Sequence, residues 1–382
     1  MNQLPPLSLY IHIPWCIKKC PYCDFNSRAV KTDTLPEMNY VKALLEDLRN
    51  DCQRYTITRP LQSIFIGGGT PSLFSPEAIN LLLRGIEQQL VFAKDIEITL
   101  EANPSTFESH KFAEFRALGI NRLSIGIQSF NDALLKKLGR VHSAREAIEA
   151  AEIALKSGFT NFNLDLMFGL PDEIGIETSK ADVLTAVNLN PTHISLYQLT
   201  LEPDTYFYNH PPRLPSDDII FNTQEHCQVI LAEHDYHHYE ISAYSKINKQ
   251  CRHNLNYWQF GDYLGIGAGA HGKISQHLPD IIYRNFKTKS PEQYLNADHK
   301  QSGFELINIK ELPLEFMMNQ LRLKQGFSLE NYRARTGLSV ASLEPALSAC
   351  LEQNLLDCQN NRYYCSPKGW NFLDNILEKF IV

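Results

Sequence analysis

Short β-branched runs alternate with amphipathic stretches over the first two-thirds of the chain, and nothing else restricts the fold so strongly. Residues 7–13 read as a strand. Residues 36–49 then carry Met38, Val41, Leu44, Leu45 and Leu48 at helical spacing. A second strand over 63–66 runs into Gly67-Gly68-Gly69, and Ser75-Pro76 opens the helix beyond it as cap and first helical residue. Strands over 96–100, 123–127, 161–166 and 193–199 continue the series, with helices over 108–118, 144–157, 180–188 and 217–233 and a last strand over 239–243. Strand–helix units repeated without interleaved hairpins favour an α/β fold. Its parallel sheet carries helices outside and is closed or partly closed as a barrel, with the chemistry on the loops after the strands.

At 382 residues the chain has room for two or three domains. Its 43% hydrophobic and 21% charged content suits an ordinary folded core. A net charge of −7 disfavours a general binder of nucleic acid or anionic membrane. The first residues, MNQLPPLSLY, lack the basic and small-residue features of a signal peptide, and no apolar run reaches the ~18 residues of a membrane span. Nine cysteines, an odd number without a secretion signal, point to reduced thiols and a cytoplasmic location. After Pro313 the pattern changes to helices over 314–323, 328–335 and 340–354, a strand–turn–strand over 356–365 turning at Asn360-Asn361, and a terminal helix. That order resembles a winged-helix module. The acidic total without a basic run favours packing or docking over DNA binding.

Cys16, Cys20 and Cys23 follow the first strand directly. Three thiolates on one loop can hold an iron–sulfur cluster; such clusters normally take four cysteines, so three leave one iron open. Zinc sites usually need two separated pairs, and Cys52, Cys227, Cys251, Cys350, Cys358 and Cys365 are scattered, as buried small hydrophobes are.

The spacing C-x3-C-x2-C, with Tyr22 before the last cysteine, resembles the signature of radical S-adenosylmethionine proteins. The resemblance implies a [4Fe-4S] cluster on Cys16, Cys20 and Cys23, with S-adenosyl-L-methionine chelating the open iron. It also implies a partial (β/α)6 TIM-like barrel followed by a mostly helical, winged-helix-like C-terminal domain. Over essentially the whole chain the match narrows to the oxygen-independent coproporphyrinogen III oxidases and their haem-chaperone relatives. Carried over from that group, the cofactor contacts are Tyr10, Tyr22, Gly68, Gly69, Thr70, Glu101, Gln128, Arg140 and Asp165. Singly each has a plainer reading: the glycines as a tight turn, Glu101 as a helix N-terminal acid, Arg140 as a surface ion pair. The expected divisions are a barrel over 1–245, a connecting segment over 246–310 and a C-terminal domain over 311–382.

Two features separate the branches. The oxidases resemble C-x3-C-x2-C-x-C, whereas Phe25 stands at the fourth position here, and the chain starts almost at its first strand where they carry an extension. Residues 252–258, RHNLNYW, match the H-N-x-x-Y-W motif of the chaperone branch, which makes His253, Tyr257 and Trp258 candidate haem contacts. An imidazole can ligate iron and the aromatics can flank a porphyrin, while a hydrogen-bonded core histidine is the plainer alternative. The expectation is a haem carrier that passes haem to acceptor haemoproteins without necessarily converting a substrate. Transient docking to a membrane-associated acceptor and a homodimer when loaded are further expectations, and nucleic acid is not expected. The alternative is oxidative decarboxylation of coproporphyrinogen III, and a winged-helix regulator sensing haem or iron stands behind both. His237 and His238 would point to opposite faces of a strand and so not share a metal. Residues 265–270, GIGAGA, fit a loose dinucleotide fingerprint but lack a clear preceding strand and read as close backbone packing.

Overall fold

The computed structural model describes residues 4–30, 35–172, 175–276, 281–297 and 300–381. Six strands run in spatial order as in chain order: β1 (Leu7–Ile13), β2 (Leu61–Gly68), β3 (Phe92–Ala102), β4 (Arg122–Gln128), β5 (Phe162–Phe168) and β6 (His193–Gln198). Every neighbouring pair among them is parallel. Period-two alternation sorts their side chains. On β1, Leu7, Leu9, Ile11 and Ile13 are fully buried beneath the helices, while Ser8, Tyr10 and His12 occupy the opposite face. The covering helices include α1 (Glu37–Arg54), which buries Tyr40, Val41, Leu44 and Leu48. Next comes α2 (Pro76–Glu87), where Ser75 accepts the Ala78 N–H as expected. In α3 (Ala144–Lys156), Ser143 and Glu146 form a reciprocal capping box.

The helix expected over 108–118 is two pieces, Thr106–Ser109 and Phe112–Ala117. Glu108 turns inward there, its carboxylate accepting from Ser72, Ser105 and the Asn103 N–H, and the helical run breaks around it. The strand expected over 239–243 is a tight pair, β7 (His237–Glu240) and β8 (Ala243–Ser245); β8 lies between β6 and β7 and is antiparallel to both. His237 is exposed and His238 half-buried, in keeping with opposite faces.

Residues after 245 continue the same sheet. Helix α4 (Arg252–Trp258) precedes β9 (Asp262–Ile266), which pairs in parallel with the free side of β1. Strands β10 (His271–Gln276), β11 (Ile281–Lys287) and β12 (Gln301–Leu306) then extend it antiparallel. A strand therefore does precede residues 265–270, but another strand follows, so no helix exists to carry a dinucleotide phosphate. Gly267, at φ 103°, lies so close to β1 that a Cβ there would sit 2.4 Å from the His12 carbonyl oxygen.

The C-terminal unit has the expected winged-helix order, with helices at Leu312–Gln320, Leu329–Thr336 and Ala346–Glu352. Its three-stranded sheet runs Phe327–Ser328, Arg362–Cys365, Leu356–Gln359. The helix expected over 340–354 is interrupted at Pro345. Asn360 and Asn361 hold φ 51° and 61°, the two left-handed residues a two-residue hairpin turn needs. The unit docks on the sheet edge through Glu240 opposite Leu323 and the Lys324 N–H donating to the Tyr239 carbonyl at 3.0 Å. Cys227, Cys251 and Cys350 are buried as expected and Cys52 and Cys365 half-buried, but Cys358 is exposed on its strand.

Candidate functional site

The three cysteines sit on a loop pinned from several sides. Trp15–Cys16 pairs with Arg28–Ala29, and the Cys23 N–H donates back to the Cys20 carbonyl at 3.1 Å. Asn26 donates to the carbonyls of Ala268 (2.8 Å) and Lys289 (2.9 Å), while its own carbonyl meets His12 Nε2 at 2.9 Å. The Phe207 N–H donates to the Pro21 carbonyl at 2.9 Å. Burial pushes the Cys16 thiol up to about 11 and raises that of Cys23 as well. Without a cation the two stay protonated; bound iron reverses that preference.

All three cysteines open onto one cavity of about 350 Å³ at the carboxyl ends of the parallel strands. Its walls include Tyr22, Gly68, Gly69, Thr70, Glu101, Gln128, Arg140 and Asp165. Eight of the nine positions carried over from the family resemblance therefore meet in one place with the triplet. Tyr10 stands outside the lining, its hydroxyl sharing a 2.9 Å hydrogen bond with His12 Nδ1. No group of three His, Cys, Asp or Glu side chains among the described residues is arranged for a single metal ion.

The backbone of 67–70 makes the cradle. Gly68 is at φ 113°, and its N–H donates to Glu101 Oε2 at 3.0 Å. Gly69 and Thr70 donate to the carbonyls of Ile13 and Trp15, both at 2.7 Å, and a Cβ on Gly69 would lie 2.4 Å from the Trp15 oxygen. Arg140 donates through Nη2 to Asn103 Oδ1 (2.8 Å) and to the Gly126 carbonyl (2.7 Å). Its Nε is buried without a partner among the described residues. An orphaned guanidinium donor, a glycine cradle and three thiols in one cavity suit an anionic, hydrogen-bonding ligand beside a thiolate-bound centre.

Burial, with the neighbouring Asp165 charge, pushes Glu101 up to about 7. Burial raises Asp165 too, against hydrogen bonds from Asn163 and Ser124. Gln128 holds φ 72° at a register shift in β4, a local distortion beside the cavity. Asn103, which sequence reasoning missed, bridges Arg140 to Thr70 Oγ1 (2.8 Å). Inward alternation along β3 and β4 was the signal that could have found Ser124, another lining residue.

The 252–258 motif forms α4, whose first N–H groups, of Arg252 (2.9 Å) and His253 (3.2 Å), donate to the Glu97 carboxylate. His253 is 1% exposed, with Nδ1 bonded to Ser63 Oγ at 3.0 Å and Nε2 to the Tyr257 hydroxyl at 2.9 Å. Burial, together with the Arg122 guanidinium, drives its imidazole down to about 3. This is the plainer alternative, a neutral core histidine with both nitrogens engaged. One face of Trp258 is covered by the Arg322 guanidinium, 4.3 Å from its ring centroid. Tyr257 stays half-buried and meets Tyr263 edge-on at 4.3 Å. No helix of the described residues is long and apolar enough to cross a membrane.

Residues 10–178 match the Radical SAM superfamily, and residues 307–372 match the HemN C-terminal domain. The chain is 47% identical to the heme chaperone HemW of Haemophilus influenzae, covering 100% of this chain and 99% of the relative. It is 46% identical to HemW of Escherichia coli over 100% of both chains. Among solved structures it resembles the radical SAM coproporphyrinogen III oxidase HemN of Escherichia coli, with a TM-score of 0.82, at 21% identity over 99% of this chain and 90% of that one. At that identity the likeness shows the fold.

Proposed function

The chain belongs to the HemW family of the radical SAM superfamily, and from that premise we propose that it is a haem chaperone that binds haem and passes it to acceptor haemoproteins. In this reading Cys16, Cys20 and Cys23 hold one [4Fe-4S] cluster, and S-adenosyl-L-methionine occupies the cavity beside it. The observation that carries the reading is the meeting of the triplet with eight of the nine expected cofactor positions in that cavity. A cluster on three thiolates keeps one iron open and supplies single-electron reduction. Arg140 offers its unpartnered Nε to a carboxylate, the 67–70 backbone admits a close ligand, and Glu101 accepts hydroxyl hydrogen bonds. Tyr10 supports the site through His12 and the cluster loop.

Residues 1–245 carry the cofactor site in this proposal, 246–310 widen the sheet beside it, and 311–382 pack against both, through Leu323 at Glu240 and through Glu315 and Arg322 at Arg284 and Trp258. Haem transfer requires no conversion of a substrate, and Phe25, half open to solvent on the cavity rim at 58% exposure, supplies no fourth thiol. We place the protein in the cytoplasm, with acceptors that include membrane-associated haemoproteins and with loading accompanied by homodimerisation. Anaerobic reconstitution followed by haem titration and a coproporphyrinogen III turnover assay tests the reading. Stable haem uptake without turnover is expected. Protoporphyrinogen formation at useful rates would replace it with the oxidase reading.

A further inference from the structure

The cavity-side face of the sheet does not stop at β1. Residues directly paired across strands share a face, and the pairing of Tyr10 with Gly265, Tyr263 with Lys273, Lys273 with Arg284 and His271 with Phe286 carries that face outward. Tyr10, Tyr263, His271, Arg284 and Phe286 therefore line one continuous wall, against which Tyr257 of the 252–258 helix packs. This wall adjoins the cavity through His12, whose ring lies 2.6 Å from where a Cβ on Gly68 would stand, and which is within electrostatic range of His271.

His271 differs from the histidine of the motif. It is exposed, and neither ring nitrogen makes a hydrogen bond among the described contacts. Phe286 lies beside it at 5.8 Å between ring centroids, its ring resting over Gly303 and 37% of the residue open to solvent. Arg284 directs one nitrogen to Glu315 while its buried Nε has no partner among the described residues. Lys289 adds a second cation within range of His271. An open imidazole, flanking aromatic rings and a guanidinium with a spare donor are the groups that recognise an iron-centred, dianionic macrocycle. His210, another exposed histidine, is stacked flat on Tyr206 at 4.4 Å and lies outside this wall.

We propose that His271, and not His253, ligates haem iron, with Tyr263 and Phe286 flanking the macrocycle and Arg284 pairing with a propionate. The proposal rests on the carrier reading above and adds the ligand and the surface. His253 becomes a brace, holding Tyr257 against Tyr263 from behind.

Ferric haem titrated into the reconstituted full chain, followed by its Soret band, tests this. His271→Ala is expected to weaken binding by about tenfold or more and shift the band, and added imidazole to restore the wild-type position. His271→Met, which keeps a packing side chain and a thioether ligand, should bind haem with an altered spectrum and guards against a folding defect in the alanine variant. His210→Ala should titrate like wild type. Wild-type spectra and affinity in both His271 variants would overturn the assignment while leaving the carrier reading intact, as would loss of the band in His210→Ala instead. A wild-type chain that takes up no haem would overturn both together.

Discussion

Arg140 Nη1 lies 3.6 Å from the sulfur of Cys20, while Nη2 of the same guanidinium reaches Asn103 and the Gly126 carbonyl. One buried fork thus ties the cluster loop to the ends of two neighbouring strands. Because guanidinium is planar and permanently charged, it can hold these partners and still present a donor to an anionic ligand.

Replacing it by Arg140→Lys keeps the charge but loses the fork. S-adenosylmethionine affinity is expected to fall about tenfold or more, with iron and sulfide content retained. Calorimetry on the reconstituted protein measures this; unchanged affinity would remove Arg140 from the site.

For the cluster itself, Cys20→Ser should abolish the brown colour of anaerobically reconstituted protein and lower iron and sulfide to background. Full iron content in that variant would mean the ligands lie elsewhere.

The order of elements was legible in the sequence because period-two and 3.6-residue patterns are local. Ser75-Pro76 and Asn360-Asn361 act within a few residues and appear where expected. Pairing between β1 and β9 was not legible. It joins Leu7 to Asp262 across most of the chain, and no local pattern names a strand's partner. Strand-end residues such as Glu101 and Asp165 were placed by the family resemblance, and the parallel fold gathers those strand ends at one cavity. The surroundings of His253 could be read only in part: Tyr257 lies one turn on in the same helix, whereas Ser63 becomes a neighbour of the ring only after that helix docks against β2.

Glu101 links pH to stability. Its folded value of about 7 lies above the ordinary carboxylate value of 4.5. A carboxyl raised by folding favours the native state at low pH, and that advantage is lost as pH rises from about 4.5 through 7. The cofactor-free protein should therefore lose stability across this window relative to Glu101→Gln, which keeps an oxygen for the Gly68 N–H. Denaturant midpoints at pH 5 and pH 8 check the sign; parallel curves for the two proteins would contradict it.

Lys287 holds Asp47 at 2.6 Å and Asp51 at 2.7 Å, all three nearly fully buried, and so fastens β11 to α1. Lys287→Met leaves two carboxylates without their cation, and a loss of about 3–5 kcal/mol is expected in urea denaturation. A loss below about 1 kcal/mol would show that the triad is replaceable by packing alone.

His253→Ala separates brace from ligand. The substitution leaves the Ser63 hydroxyl with Ser8 alone (2.8 Å), removes the partner of the Tyr257 hydroxyl and opens a void beside Phe65, whose ring centroid is 5.1 Å from the imidazole. Lost hydrogen bonds and lost packing together are expected to cost about 2–4 kcal/mol. Because the motif helix would loosen, haem affinity should fall modestly while the Soret maximum keeps its wild-type position, as the iron would retain its ligand. Thermal melts and haem titration on the same preparation read the two effects separately. A Soret shift in His253→Ala without loss of stability would return the ligand role to His253.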